Sequence, residues 1–148
     1  MDDLLKLKAE DVEDLQVISS FLQDALTRVG DMTFLADEGR FVAIFSRFMW
    51  ESRDLPPGAE GLRVRTGLHF DHVASVDTHR IDQRDREGLL PLLAIVAAPE
   101  GEDVRITLEF AGGGAVRLTA SAVSARLRDM GLPWPTPSRP THSGIEAD

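Results

Sequence analysis

Between residues 104 and 120 the sequence commits the chain to a β-hairpin. Val104, Ile106, Leu108 and Phe110 alternate with Arg105, Thr107 and Glu109. After Gly112, Gly113 and Gly114 come Val116, Leu118 and Ala120, alternating with Arg117 and Thr119. A period of two sends successive side chains to opposite faces of a strand. The pattern therefore requires an antiparallel pair with one apolar face and one solvated face. A loop of the three glycines pairs Phe110 with Val116, Leu108 with Leu118 and Glu109 with Arg117, the charged pair adding about 0.2–1 kcal/mol. A longer loop sets Arg117 against Leu108, and a one-residue slip flips every side chain. The three-glycine loop is the expected register.

An apolar sheet face needs cover, and the N-terminal segment supplies it. Val12, Leu15, Ile18, Leu22, Leu26 and Val29 recur at helical steps, predicting a helix from Asp11 to Val29. Asp11 suits the N-cap and Gly30 the stop. Before it, residues 4–8 read as a short edge strand. After it, Met32–Ala36 and Arg40–Trp50 flank Asp37-Glu38-Gly39, a three-residue hairpin loop with glycine last. The second run is apolar on both faces, which predicts a central strand. Residues 51–61 read as a loop around Pro56-Pro57-Gly58, and Leu62–Phe70 as a half-buried strand. A kink at Asp71 precedes a strand over 72–77, and the charged stretch 78–88 is a loop. Leu89–Ala98 is a further strand, with Pro91 favouring one end of it or a sheet edge. Ser121–Met130 reads as a second helix with Val123, Leu127 and Met130 inward and Gly131 as its stop.

The order of elements predicts an α+β fold. It has an N-terminal helix, about seven mainly antiparallel strands and a C-terminal helix, arranged as a curved sheet or a pleckstrin-homology-like barrel. Residues 1–131 form the single domain. Residues 132–148 form a Pro-rich tail, extended at first and disordered from Thr141 onward, with Trp134 able to fold back on the body.

The chain has no cysteine, which excludes disulfides, thiolate metal sites and a cysteine nucleophile. No run approaches the roughly 20 apolar residues of a membrane-spanning helix. The acidic start, Met1-Asp2-Asp3, is unlike a secretory signal, so the cytoplasm is the expected location. A net charge of −9 argues against nucleic acid and anionic lipid as partners.

Three constellations are candidates for chemistry. The glycine run lacks the following helix that a phosphate-cradling loop needs, so it is a hairpin turn. His69, Asp71, His72 and His79 are candidate metal ligands, but strand geometry sends residues 69 and 72 to opposite faces, so no metal site is assigned. A polar row on the strand over 62–70, Arg63, Arg65 and His69, has a gap at Gly67. Arg47 or Trp50 across from it makes a pocket for an anion or a carboxylate. Arg47 interrupts an otherwise apolar strand face and so requires a partner or a route to solvent. No serine sits in a nucleophile elbow and no cofactor motif is present.

The stretches Arg40-Phe-Val-Ala-Ile-Phe-Ser-Arg-Phe-Met-Trp-Glu51, Ile106-Thr-Leu-Glu-Phe-Ala-Gly-Gly-Gly-Ala-Val-Arg-Leu118 and Arg128-Asp-Met-Gly-Leu-Pro-Trp134 resemble an uncharacterised bacterial family, a domain of unknown function. The resemblance runs from Leu5 to about His142. It implies a small bacterial cytosolic protein and carries no functional residue. The leading expectation is a non-catalytic binding or assembly module with a protein partner or a second copy. The competing one is a binder of an anionic small molecule, or an enzyme, using the face around Arg65 and His69.

Overall fold

A computed structural model describes residues 4–140. The expected disorder from Thr141 onward and the acidic Met1–Asp3 lie outside the described residues. Among those described there are one helix, α1 (Val12–Phe21), and ten strands. The strands are β1 (Lys6–Ala9), β2 (Leu26–Arg28), β3 (Met32–Leu35), β4 (Arg40–Phe48), β5 (Gly61–Phe70), β6 (Val73–His79), β7 (Leu89–Glu100), β8 (Asp103–Phe110), β9 (Ala115–Ala120) and β10 (Ala125–Thr136). All pairings are antiparallel, in the order β1-β10-β5-β4-β2-β7-β8-β9-β6, with β3 beside β4. The mostly antiparallel α+β architecture is as expected. The sheet does not close, so the pleckstrin-homology-like barrel does not form; β1 and β6 are its two ends.

The sheet curls around one core. Phe41, Ala43 and Phe45 of β4 meet Leu68 and Phe70 of β5, Leu92 and Ile95 of β7, and the inward residues of β8 and β9. Leu15, Ile18 and Leu22 bring α1 into the same cluster. Asp11 caps α1 by accepting from the Asp14 N–H at 2.8 Å. Ser19 Oγ, in its second half, accepts the Ile95 N–H of β7 at 2.9 Å.

The predicted helix ends eight residues early. Asp24 takes a left-handed φ of 62°, and Leu26–Arg28 is drawn into the sheet between β4 and β7. A strand slot open on both sides outweighs the helical spacing of Leu26 and Val29.

The predicted C-terminal helix does not exist. Residues 121–124 form the connection from β9, and the remainder enters β10, which β5 flanks on one side and β1 on the other. The strand continues through the proline-rich segment to Thr136, with a register shift between Met130 and Trp134. Thr136 points its carbonyl at the Glu60 N–H, 2.9 Å away. Alternation then turns Pro135 outward, so the exposed edge lacks a donor there. Residues 132–136 thus belong to the sheet and not to a tail.

The glycine hairpin keeps the predicted faces but shifts by two residues. Leu108 lies opposite Val116, Ile106 opposite Leu118, and Arg117 opposite Thr107 and Asp77, not Glu109. Phe110 N–H bonds the Gly114 carbonyl, so the loop is Ala111-Gly112-Gly113. Gly112 and Gly113 both have φ of 89°. Gly114 is packed so closely against Ile81 and the Arg80 carbonyl that a Cβ would crowd them at 3.2 and 3.3 Å. The first hairpin forms with Gly39 at φ 62°, but Leu35 pairs with Arg40, so Ala36 leaves the strand and the loop is four residues, 36–39, instead of three. Pro91 sits near the start of β7, which is an interior strand with β2 and β8 as neighbours.

Candidate functional site

The layer β1-β10-β5-β4 has two faces with different chemistry. Its inner face carries Arg47, whose side chain is 0% exposed. Arg47 Nε and Nη2 donate to the two Asp129 carboxylate oxygens at 2.8 and 2.7 Å. Nη1 and Nη2 also donate to Glu51 at 3.1 and 2.8 Å. Asp129 Oδ2 further accepts the Leu5 N–H at 2.9 Å, and the Asp129 N–H donates to the Leu5 carbonyl. Burial disfavours the Arg47 cation, but its bonds to Asp129 and Glu51 outweigh this and raise its pKa. Burial likewise pushes the Asp129 carboxyl up. Arg47 and the Leu5 N–H prevail and hold it below the usual carboxylate range. Arg47 thus has the partner its position required, and that partner ties β1 to β10 through the core.

The outer face is built from two matching tripeptides. Lys6-Leu7-Lys8 of β1 lies antiparallel to Arg126-Leu127-Arg128 of β10, pairing Lys6 with Arg128, Leu7 with Leu127 and Lys8 with Arg126. The leucines turn inward and all four cations turn outward. Next in the rows come His69 and Gly67 of β5, opposite Arg126 and Arg128, and then Val42 and Ile44 of β4. Met130 completes the floor beside Gly67. The result is an open groove of about 570 Å³, with Val42, Ile44, Gly67 and Met130 as its floor and Lys6, Lys8, Arg126, Arg128 and His69 around it.

Like charges set directly opposite on neighbouring strands are unfavourable. Here two such pairs stand side by side, formed by both lysines of the chain and two of its arginines. Among the described residues, Lys8 pairs with Glu10 at 3.3 Å, whereas Lys6, Arg126 and Arg128 make no ion pair. At the groove's end, Asp71 accepts from Arg40 Nε at 2.7 Å and lies 3.5 Å from His69 Nε2. Burial pushes the His69 imidazole down; Asp71 opposes this, and Arg40 and Arg126 reinforce it. His69 is therefore largely neutral at pH 7.

The residues singled out from sequence divide. His69 lines the groove. Arg65 shares its face but lies beyond Met130 and is exposed, paired in register with Met130 and Ser46. Arg63 donates from Nη1 to the Ser46 carbonyl at 3.0 Å and hydroxyl at 3.2 Å, and burial pushes its pKa down against the pull of Asp24. Trp50 stands past the end of β4. Its Nε1 donates to the Gln23 carbonyl at 3.3 Å, and its ring lies 4.7 Å from that of Phe48 and under Arg139. Arg47 faces the core. Arg126, Arg128 and Met130 are hidden in the sequence by the helical spacing of 121–130, and Lys6 and Lys8, on a short edge strand, have no cationic neighbours until β10 is recognised as their partner. The period-two pattern Arg126-Leu127-Arg128-Asp129-Met130, matching Lys6-Leu7-Lys8, is the signal that locates them. His72 occupies a turn at φ 62° and His79 ends β6, so these histidines do not gather. No cluster of three metal-ligating side chains occurs among the described residues.

A second cavity of about 490 Å³ opens between β3 and β6, over Phe41 and Val116, with Asp77, Gln83 and Arg86 at its mouth. Its polar groups have mixed sign and select no ligand charge. No helix among the described residues is long and apolar enough to cross a membrane.

These features define an open antiparallel sheet with one helix and a cationic groove on its outer face. A family model described as a protein of unknown function (DUF2948) matches residues 5–142, and the chain belongs to that family. No curated protein and no solved structure matches it.

Proposed function

We propose that the protein is a non-catalytic cytoplasmic module that binds a small anion in the groove between β1, β10, β5 and β4. The observation that carries this is the pair of like-charged rows, Lys6 with Arg128 and Lys8 with Arg126. In a chain of net charge −9 these cations have acidic side chains to spare elsewhere, yet three of them make no ion pair among the described residues. An anion bridging the rows turns the repulsion into charge-assisted hydrogen bonds, and arginine forks suit carboxylate or phosphate.

Thermal unfolding with inorganic phosphate or pyrophosphate tests the reading. A ligand present at ten times its Kd stabilises the fold by about 1.4 kcal/mol. The expected result is a rise in Tm that weakens with added salt and disappears in Arg126→Ala/Arg128→Ala. An equal rise in that variant, or none in the wild type, overturns the proposal.

A second reading, self-assembly, rests on the exposed Leu89, Leu93 and Val96 of β7, which are 51, 46 and 47% accessible. Light scattering that finds only monomer at high concentration overturns it.

A further inference from the structure

Gly67 occupies the middle of β5, a strand paired on both sides. Its conformation lies outside the left-handed region that favours glycine, and a Cβ there would make ordinary contacts, 3.5 Å to Met130 Sδ and 3.7 Å to Ile44 Cδ1. Gly61 at the start of the same strand is different, because a Cβ there would overlap the Phe48 ring. Neither backbone nor packing requires glycine at 67, and glycine weakens a strand interior. What it provides is bare backbone on the groove floor between Ile44 and Met130.

The groove is also asymmetric. Lys6, Lys8, Arg126 and Arg128 lie on the β1–β10 side, while the floor toward β4 is Val42, Ile44 and Met130. No Phe, Tyr or Trp lines it, and its one imidazole, His69, stands at the groove's end beside Asp71, so the floor itself offers no platform for a stacked base or ring. From β10 across β5 to β4 is two inter-strand steps, about 10 Å, roughly the span of an extended octyl chain.

Resting on the anion-site reading above, we propose that the ligand is an amphiphile with a phosphate or carboxylate head and a single aliphatic chain. The head lies over Arg126 and Arg128, and the chain crosses Gly67 toward Ile44. The ligand is taken from solution as a monomer and not from a bilayer. The groove has the volume of a small-ligand site, and the acidic remainder of the chain is repelled by an anionic membrane.

The test is calorimetric titration of the full chain with octyl phosphate below its micelle concentration, and with inorganic phosphate. Octyl phosphate is expected to bind about tenfold or more tightly, from burial of its chain. Gly67→Val, which fills the floor with a strand-favouring side chain, is expected to weaken octyl phosphate far more than inorganic phosphate and so to bring the two affinities together. Met130→Ser, which removes the floor's thioether, weakens octyl phosphate selectively and covers the case in which Gly67→Val folds poorly. Equal affinity for the two probes overturns this inference and leaves the anion site standing. Binding of neither overturns both. Binding to anionic vesicles without binding of monomeric octyl phosphate overturns the assignment of source.

Discussion

Asp129→Ala removes the centre of the buried network. It deletes the bonds of 2.8 and 2.7 Å to Arg47 and the acceptor 2.9 Å from the Leu5 N–H. Breaking a buried ion pair costs about 3–5 kcal/mol because a charge is left without its partner. Glu51, whose side chain is 37% exposed, stays on Arg47, so the lower end applies, about 3 kcal/mol. With a urea m-value of about 2 kcal/mol/M the midpoint falls by about 1.5 M. Asp129→Asn keeps an acceptor for Leu5 and should lose about half as much. Arg47→Met/Asp129→Leu removes both charges and should cost less than Asp129→Ala, the remaining loss coming from the Leu5 N–H left without its acceptor. The pH dependence has a defined sign. The folded carboxyl titrates below its unfolded value of about 3.9. Its contribution is therefore full above about pH 5 and is lost as the pH falls through the unfolded and then the folded value. Asp129→Asn should flatten that acid limb. Urea curves from pH 7 to pH 3 measure both effects. A cost for Asp129→Ala under about 1 kcal/mol, or an unchanged acid limb in Asp129→Asn, would refute the argument that this pair holds β1 and β10 together.

Two further outcomes are expected. Gly61→Ala should destabilise by about 1–3 kcal/mol through overlap with Phe48, whereas Gly67→Ala should be neutral or stabilise by up to about 1 kcal/mol; thermal unfolding of both variants distinguishes a glycine needed for packing from one that keeps a groove open, and equal losses would refute the distinction. His69 faces Asp71, Arg40 and Arg126, and titrates below its usual value of about 6.5 when the groove is empty. Bound phosphate should raise that pKa and affinity should rise as the pH falls toward 6, a gain that His69→Gln removes; an NMR titration of His69 unchanged by phosphate would place the anion elsewhere.

Much of the sheet is legible because its strands state their faces locally. Val64, Thr66, Leu68 and Phe70 are buried as their alternation requires. The position of the hairpin turn at Gly39 follows from turn chemistry, although its loop takes in Ala36 as well. What is not legible is set by distant partners. Residues 121–130 satisfy helical spacing through Val123, Leu127 and Met130 and strand spacing through Ala125, Leu127 and Asp129. The choice falls to β1 and β5, which offer an open slot between them. The same ambiguity conceals the groove, since two of its four cations lie on β10. Arg47 shows the boundary well. Its need for a partner is evident from an apolar strand face, but the partner is 82 residues away in a segment that reads as helix.

That separation has a kinetic consequence. Leu5 and Asp129 are 124 residues apart, among the most distant pairings in the fold. In a chain made from its N-terminus, β1 has no strand to dock on, and the Arg47 guanidinium lacks its main acceptor, until β10 has been synthesised. Glu51, only four residues on, is available at once and can hold the guanidinium in the interval. Long-range pairing of this kind slows folding. β10, the last strand among the described residues, completes both the buried ion pair and the groove, so a chain truncated before residue 125 forfeits the two together.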